Sequence, residues 1–99
     1  MRTQLHSASA VIDTLIGKDD ELREMVRQEV MNSEISRMIY DARMAAKLTQ
    51  KQLADRIGTT QSVISRLESS DYDGHSLGIL QRIAAAVGQK LELRFSAAA

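Results

Sequence analysis

The stretch LTQKQLADRIGTTQSVISRLE, residues 48–68, sets the tightest limit on the fold, because a threonine–glutamine pair occurs twice, at Thr49–Gln50 and Thr60–Gln61, with Gly58 between them. Thr49 suits a helix N-cap, and Gln52, three residues on, can complete a capping box. Leu53, Ala54 and Ile57 then share an inward face, and Gly58 supplies a left-handed stop. That helix is barely two turns long. Thr60 caps the next one, in which Ile64 and Leu67 are spaced to pack while Gln61, Ser62, Ser65 and Arg66 point elsewhere. Two short helices joined through IGTT are the expectation.

Composition narrows the rest. A chain of 99 residues buries only part of its unfolded surface, so its core must be small and helical or be completed by a partner. Proline is absent, there are three aromatic residues, and the apolar fraction of 43% is mostly Ala, Leu, Ile, Val and Met, which favours an all-α domain. With no cysteine and only His6 and His75, no disulfide, metal site or cofactor is expected. No signal-peptide core and no run of about 18 apolar residues is present, so a cytoplasmic, non-membrane protein is expected.

Net charge is zero but segregated. Residues 13–34 carry Asp13, Asp19, Asp20, Glu21, Glu24, Glu29 and Glu34 against Lys18, Arg23 and Arg27, whereas residues 43–66 carry Arg43, Lys47, Lys51, Arg56 and Arg66 against Asp55. The chain is acidic first and basic in the middle.

Residues 1–18 read as a frayed arm, with a small apolar group at Val11, Ile12, Leu15 and Ile16. From Asp20, apolar residues recur in steps of three and four through Leu22, Met25, Val26, Val30, Ile35, Met38, Ile39, Ala42, Ala46 and Leu48. One nearly continuous helix over 20–47 is the favoured reading, although Asn32 and Ser33 could cap a second. SSDYDGHS reads as a loop. Ser76 then caps a helix with a stripe of Leu77, Leu80, Ile83, Ala84 and Val87, ended by Gly88. In KLELRF, Leu91, Leu93 and Phe95 alternate with charged residues, the one strand signal of the chain; lacking a partner strand, it is expected to pair with another molecule. The resulting division is an arm at 1–18, a helical extension at 19–33, a central domain at 34–88 and a dimerising strand at 89–96.

A short helix, a turn with glycine and a second helix with polar residues at its exposed start form a helix-turn-helix pattern. Such a second helix can enter the DNA major groove, where a glutamine amide both donates to and accepts from adenine. Gln61 is the candidate reader; Gln50, at the positive end of the preceding helix, is the candidate phosphate contact and a brace for Gln61.

These residues closely resemble the Xre-type helix-turn-helix, the family of phage Cro and CI repressors, in Leu48, Thr49, Gln50, Leu53, Ala54, Gly58, Gln61, Ile64, Ser65, Arg66, Leu67 and Glu68. The resemblance implies a lambda-repressor-like bundle, base contacts from Gln61, Ser62 and Ser65, and a pairing of Glu68 with an arginine of the first helix, for which Arg43 is the candidate. Thr49, Gln50, Lys51, Thr60 and Arg66 complete the expected DNA-binding set, Arg66 being equally open to a surface ion pair. Thr59 replaces the usual apolar residue of the turn, and Ser69–Ser70 replace the usual basic residue and glycine.

The continuation HSLGILQRIAAAVGQKLELRF also resembles small antitoxins of the HigA and HipB type. That resemblance implies a terminal strand that pairs between subunits, with Leu91, Leu93 and Phe95 at the dimer contact. An operator-binding homodimer on palindromic double-stranded DNA is expected, and the acidic charge of residues 1–32 with the apolar Ile12, Leu15 and Leu22 motivates a cognate basic toxin held by this extension. Two alternatives stay open: the extension only lengthens a dimer interface, or the protein is a stand-alone phage-like regulator without a toxin.

An enzyme is not expected. Asp71, Asp73, His75 and Ser76 lie in a turn-rich loop without a glycine elbow or oxyanion donors, and Ser76 is better explained as a cap. Met25, Met31, Met38 and Met44 are expected to fill core or dimer contacts.

Overall fold

The computed structural model describes residues 20–97, which form four helices: α1 (Asp20–Ala45), α2 (Gln50–Ile57), α3 (Gln61–Leu67) and α4 (Leu77–Ala86). Ile12, Leu15 and the rest of the expected arm lie outside the described residues.

α1 is a single helix through Asn32 and Ser33, and so crosses the expected boundary between extension and domain without interruption. Its 26 residues span about 39 Å at a rise of about 1.5 Å per residue. It stops short of the expected residue 47, because Lys47 takes a left-handed conformation with φ of 59°. The Lys47 N–H then donates to the Met44 carbonyl at 3.0 Å and the Leu48 N–H to the Arg43 carbonyl at 3.2 Å, a Schellman closure. With no glycine there, the sequence carries no obvious sign of the stop.

The expected caps form. Thr49 Oγ1 accepts from the Gln52 N–H at 3.0 Å and the Gln52 side chain accepts from the Thr49 N–H at 2.8 Å, so both halves of the capping box are present. Gly58 closes α2 at φ of 75°. Thr60 and Ser76 cap α3 and α4 by accepting from the Val63 and Ile79 N–H groups. Two arginines add reciprocal caps at the other ends: Arg56 of α2 donates to the Ala86 carbonyl of α4, and Arg82 of α4 donates to the Ile57 carbonyl of α2.

The core is Ile39, Leu48, Leu53, Ala54, Ile57, Ile64, Leu67 and Ile83, with Ile35, Val63, Tyr72, Leu80 and Val87 packed against it. Leu53 and Ile64 are completely buried, each contributing roughly 1.5–3 kcal/mol through burial. α2 sits on α3 and α4, and α4 also touches α1.

Two apolar patterns are not buried as expected. α1 buries only Ser36, Ile39 and Arg43, leaving Leu22, Met25, Met31 and Met44 exposed, so these methionines are not core residues. The reason is length: helices of seven to ten residues reach about 10–15 Å and cover only part of α1. Leu77, at the start of the α4 stripe, is also exposed.

The expected C-terminal strand is absent. Among the described residues no strand forms, residues 89–97 have no regular structure, and Leu93 and Phe95 stay in solvent while Leu91 is half-buried. Alternation supplies a face, but a strand exists only as part of a hydrogen-bonded ladder, and the other described segments of this chain are committed to helices and their connections.

Candidate nucleic-acid interface

The turn between α2 and α3 is fixed from both sides. The Thr59 N–H donates to the Ala54 carbonyl at 2.9 Å, closing α2, and the Val63 and Ile64 N–H groups turn back to the Thr60 carbonyl at 3.1 and 3.3 Å, opening α3. Ile64 and Leu67 anchor α3 by one face, with Val63 half-buried. The opposite face therefore presents Gln61, Ser62, Ser65 and Arg66 to solvent. Thr49, Lys51 and Thr60 are exposed as well. No side-chain hydrogen bond holds Gln61 among the described residues, which leaves its amide free to present a donor and an acceptor.

Beneath this surface lies a buried ion pair. Arg43 Nε donates to Glu68 Oε2 at 2.7 Å and Arg43 Nη2 to Glu68 Oε1 at 3.0 Å, a two-pronged contact between side chains 8% and 5% exposed. Arg43 Nη1 also donates to the Leu48 carbonyl at 2.7 Å. One guanidinium thus ties α1, the entry to α2 and the end of α3. The Glu68 hydrogen bond raises the Arg43 pKa further above its ordinary value, with burial working against it.

Gln50 joins this cluster. Its Nε2 donates to Glu68 Oε1 at 3.3 Å, so the expected brace runs from Gln50 to Glu68 rather than to Gln61. α3 is positioned through its C-terminal carboxylate instead of its first glutamine.

A second tie was hidden in the sequence. Ser36 Oγ donates to the Ser69 carbonyl at 2.8 Å and lies 3.2 Å from His75 Nε2, which itself meets the Leu67 carbonyl at 2.8 Å. A carbonyl only accepts, so Nε2 carries the hydrogen in that contact. His75 thus locks the loop after α3 onto α1, and Ser76 serves as a cap. The available signal was Ser36 itself: with Ile39 and Arg43 it lies on one helical stripe, and a small polar residue on a buried stripe needs a partner.

The central cations are only partly free. Arg43 is consumed by Glu68 and Arg56 by the end of α4, and Lys51 makes an exposed 3.7 Å pair with Asp55. Lys47 and Arg66 have no ion pair among the described residues and are exposed. The residues left facing solvent are therefore mostly neutral hydrogen-bonding side chains with two unpaired cations beside them.

A helix-turn-helix family model matches residues 39–93, more than half of the 99-residue chain. The chain belongs to the Xre-type helix-turn-helix family. This is a family of DNA-binding regulatory domains, and its match covers the C-terminal turns of α1, all of α2 to α4 and part of the tail. The chain matches no curated protein and no solved structure. The helix-turn-helix itself is thus α2, the IGTT turn and α3, and the chain is a DNA-binding transcriptional regulator. Within the described residues no helix is long and apolar enough to cross a membrane, and no group of carboxylates and histidines is arranged to hold a metal ion.

Proposed function

We propose that this helix-turn-helix protein is a sequence-specific repressor that binds a palindromic operator as a two-fold dimer, and that it is the antitoxin of a toxin–antitoxin pair. The observation that carries the DNA half is the division of α3, buried at Ile64 and Leu67 and open at Gln61, Ser62 and Ser65. Gln61 reads adenine through its amide, Ser62 and Ser65 meet neighbouring base edges, and Thr49, Gln50, Lys51, Thr60 and Arg66 fix register on the phosphates. The exposed Leu93 and Phe95 offer apolar surface that a second copy can cover, and two-fold binding requires recognition helices about 34 Å apart. The antitoxin half is supported by the acidic, incompletely covered first half of α1, a poor surface for DNA and a good one for a basic protein.

The test is a fluorescence-anisotropy titration on the protein's own upstream DNA and on scrambled DNA at two salt concentrations. A preference of about a thousandfold at both salts is expected. Gln61→Ala should lose about 1–3 kcal/mol of discrimination at one base pair per half-site, whereas Lys51→Ala should weaken all sequences alike and flatten the salt slope. Unchanged base preference in the Gln61 variant removes that residue from the reading role. For the antitoxin half, the adjacent open reading frame is expressed with and without this chain. Growth arrest relieved by co-expression is expected; a harmless neighbour leaves a stand-alone regulator.

A further inference from the structure

An open groove of about 730 Å³ runs between the first half of α1 and the loop after α3. It is lined by the apolar Met25, Val26 and Val30 and by four carboxylates, Glu29, Glu34, Asp71 and Asp73, with no lysine or arginine among the lining residues. It is built before any partner arrives. Ser36 Oγ holds the Ser69 carbonyl, and Ser69 Oγ holds the Asp71 carboxylate, so the loop wall is pinned to α1.

Glu34 marks what is missing. Its Oε2 is buried and has no hydrogen-bond donor among the described residues, and burial pushes its carboxyl pKa above the ordinary value. A carboxylate so placed is stabilised by a cationic donor arriving from outside. Farther along the groove, Met25 is 61% exposed, apolar surface that water covers at a cost. A phosphate backbone is repelled by the four acids.

We propose that this groove docks a basic amphipathic segment of a partner protein, an ammonium or guanidinium group entering beside Glu34 while apolar side chains cover Met25, Val26 and Val30. The proposal extends the partner-binding half of the function above and rests on it. It places the contact on α1 and the 70–73 loop rather than on the arm, so that one continuous helix carries partner-facing residues at one end and, through Arg43, the support of α3 at the other.

The test uses the full chain and a fluorescein-labelled 15-residue helical peptide with leucines on one face and lysines and arginines on the other, titrated by anisotropy. Glu34→Lys with Asp71→Lys should weaken binding about tenfold or more, and Val30→Ser about threefold, while the charge-matched control Asp41→Lys with Asp55→Lys should stay within about twofold. Amide chemical shifts should move at Val26, Val30, Ser33 and Ser70. Equal losses in groove and control variants would show attraction by overall charge alone and overturn the proposal, as would shifts centred on α2 and α3. A photo-crosslinker at position 30 that yields only covalent dimers would assign the groove to a second copy and equally overturn it. Growth protection is read separately: peptide binding without protection sinks the antitoxin reading and spares the groove, and protection without peptide binding does the reverse.

Discussion

Residues 49–68 and residues 20–33 are both helical and amphipathic, yet they end up in opposite circumstances. In the first, five buried apolar side chains and two N-caps fall within about twenty residues, and Glu68 at its end closes a two-pronged ion pair with Arg43. In the second, Leu22, Met25, Val26 and Val30 recur at helical spacing but none is fully buried among the described residues, and Met25 and Met31 remain 61% and 49% exposed. Both carry apolar residues at helical spacing, but α2 gathers them onto one face more sharply than α1. What also differs is whether a second element stands opposite among the described residues, and that turns one segment into a rigid platform for recognition and leaves the other with uncovered apolar surface.

That contrast can be broken at its strongest point first. Glu68→Ala strands the Arg43 guanidinium in a buried site and removes the Gln50 contact, so it should cost about 3–5 kcal/mol in urea denaturation. Removing the exposed Lys51–Asp55 pair by Lys51→Ala should cost less than about 0.5 kcal/mol. Similar losses for the two would mean that Arg43 is reached by water.

Truncating apolar side chains sharpens the same comparison. Leu53→Ala removes a fully buried side chain and should cost about 2–5 kcal/mol, whereas Met25→Ala, on the uncovered half of α1, should change global stability by less than about 0.5 kcal/mol. A large loss at Met25 would show that the first half of α1 belongs to the cooperative core.

At the joint between the two regions, Lys47→Gly relieves the left-handed strain and should stabilise the fold by about 0.5–1 kcal/mol. The same variant loses an unpaired cation near the start of α2, and DNA affinity should fall as stability rises, with a shallower salt slope. A fall in both would place the lysine side chain in the packing.

The smallest effect is expected at Glu34. Its folded pKa is raised by burial, so the native state holds the proton longer than the unfolded chain, and the carboxylate costs stability as pH rises through the folded pKa. Glu34→Gln should therefore melt at a higher temperature than the parent at neutral pH, with the gap closing as pH falls below the unfolded carboxyl range. A gap that persists in acid would trace the effect to packing.

Much of the recognition unit could be read from residue types alone. Thr49 and Gln52 bond each other within one turn, Gly58 needs only its own left-handed freedom, and Leu53, Ile57, Ile64 and Leu67 follow from spacing. The tail shows the limit. Leu91, Leu93 and Phe95 alternate as a strand should, but strand formation depends on a partner that alternation cannot supply, and these residues are irregular.

The sequence by itself therefore determined the caps of α2 to α4, the turn and the exposed polar face of α3, since each is decided within about one helical turn. Only the tertiary structure decided that Gln50 bonds Glu68 across 18 residues, that Ser36 and His75 meet across 39, and that Arg43 is buried rather than offered to phosphate. Those choices set one long-range contact against another, and the free energy of a buried charge or hydroxyl depends on which partner the fold brings within reach.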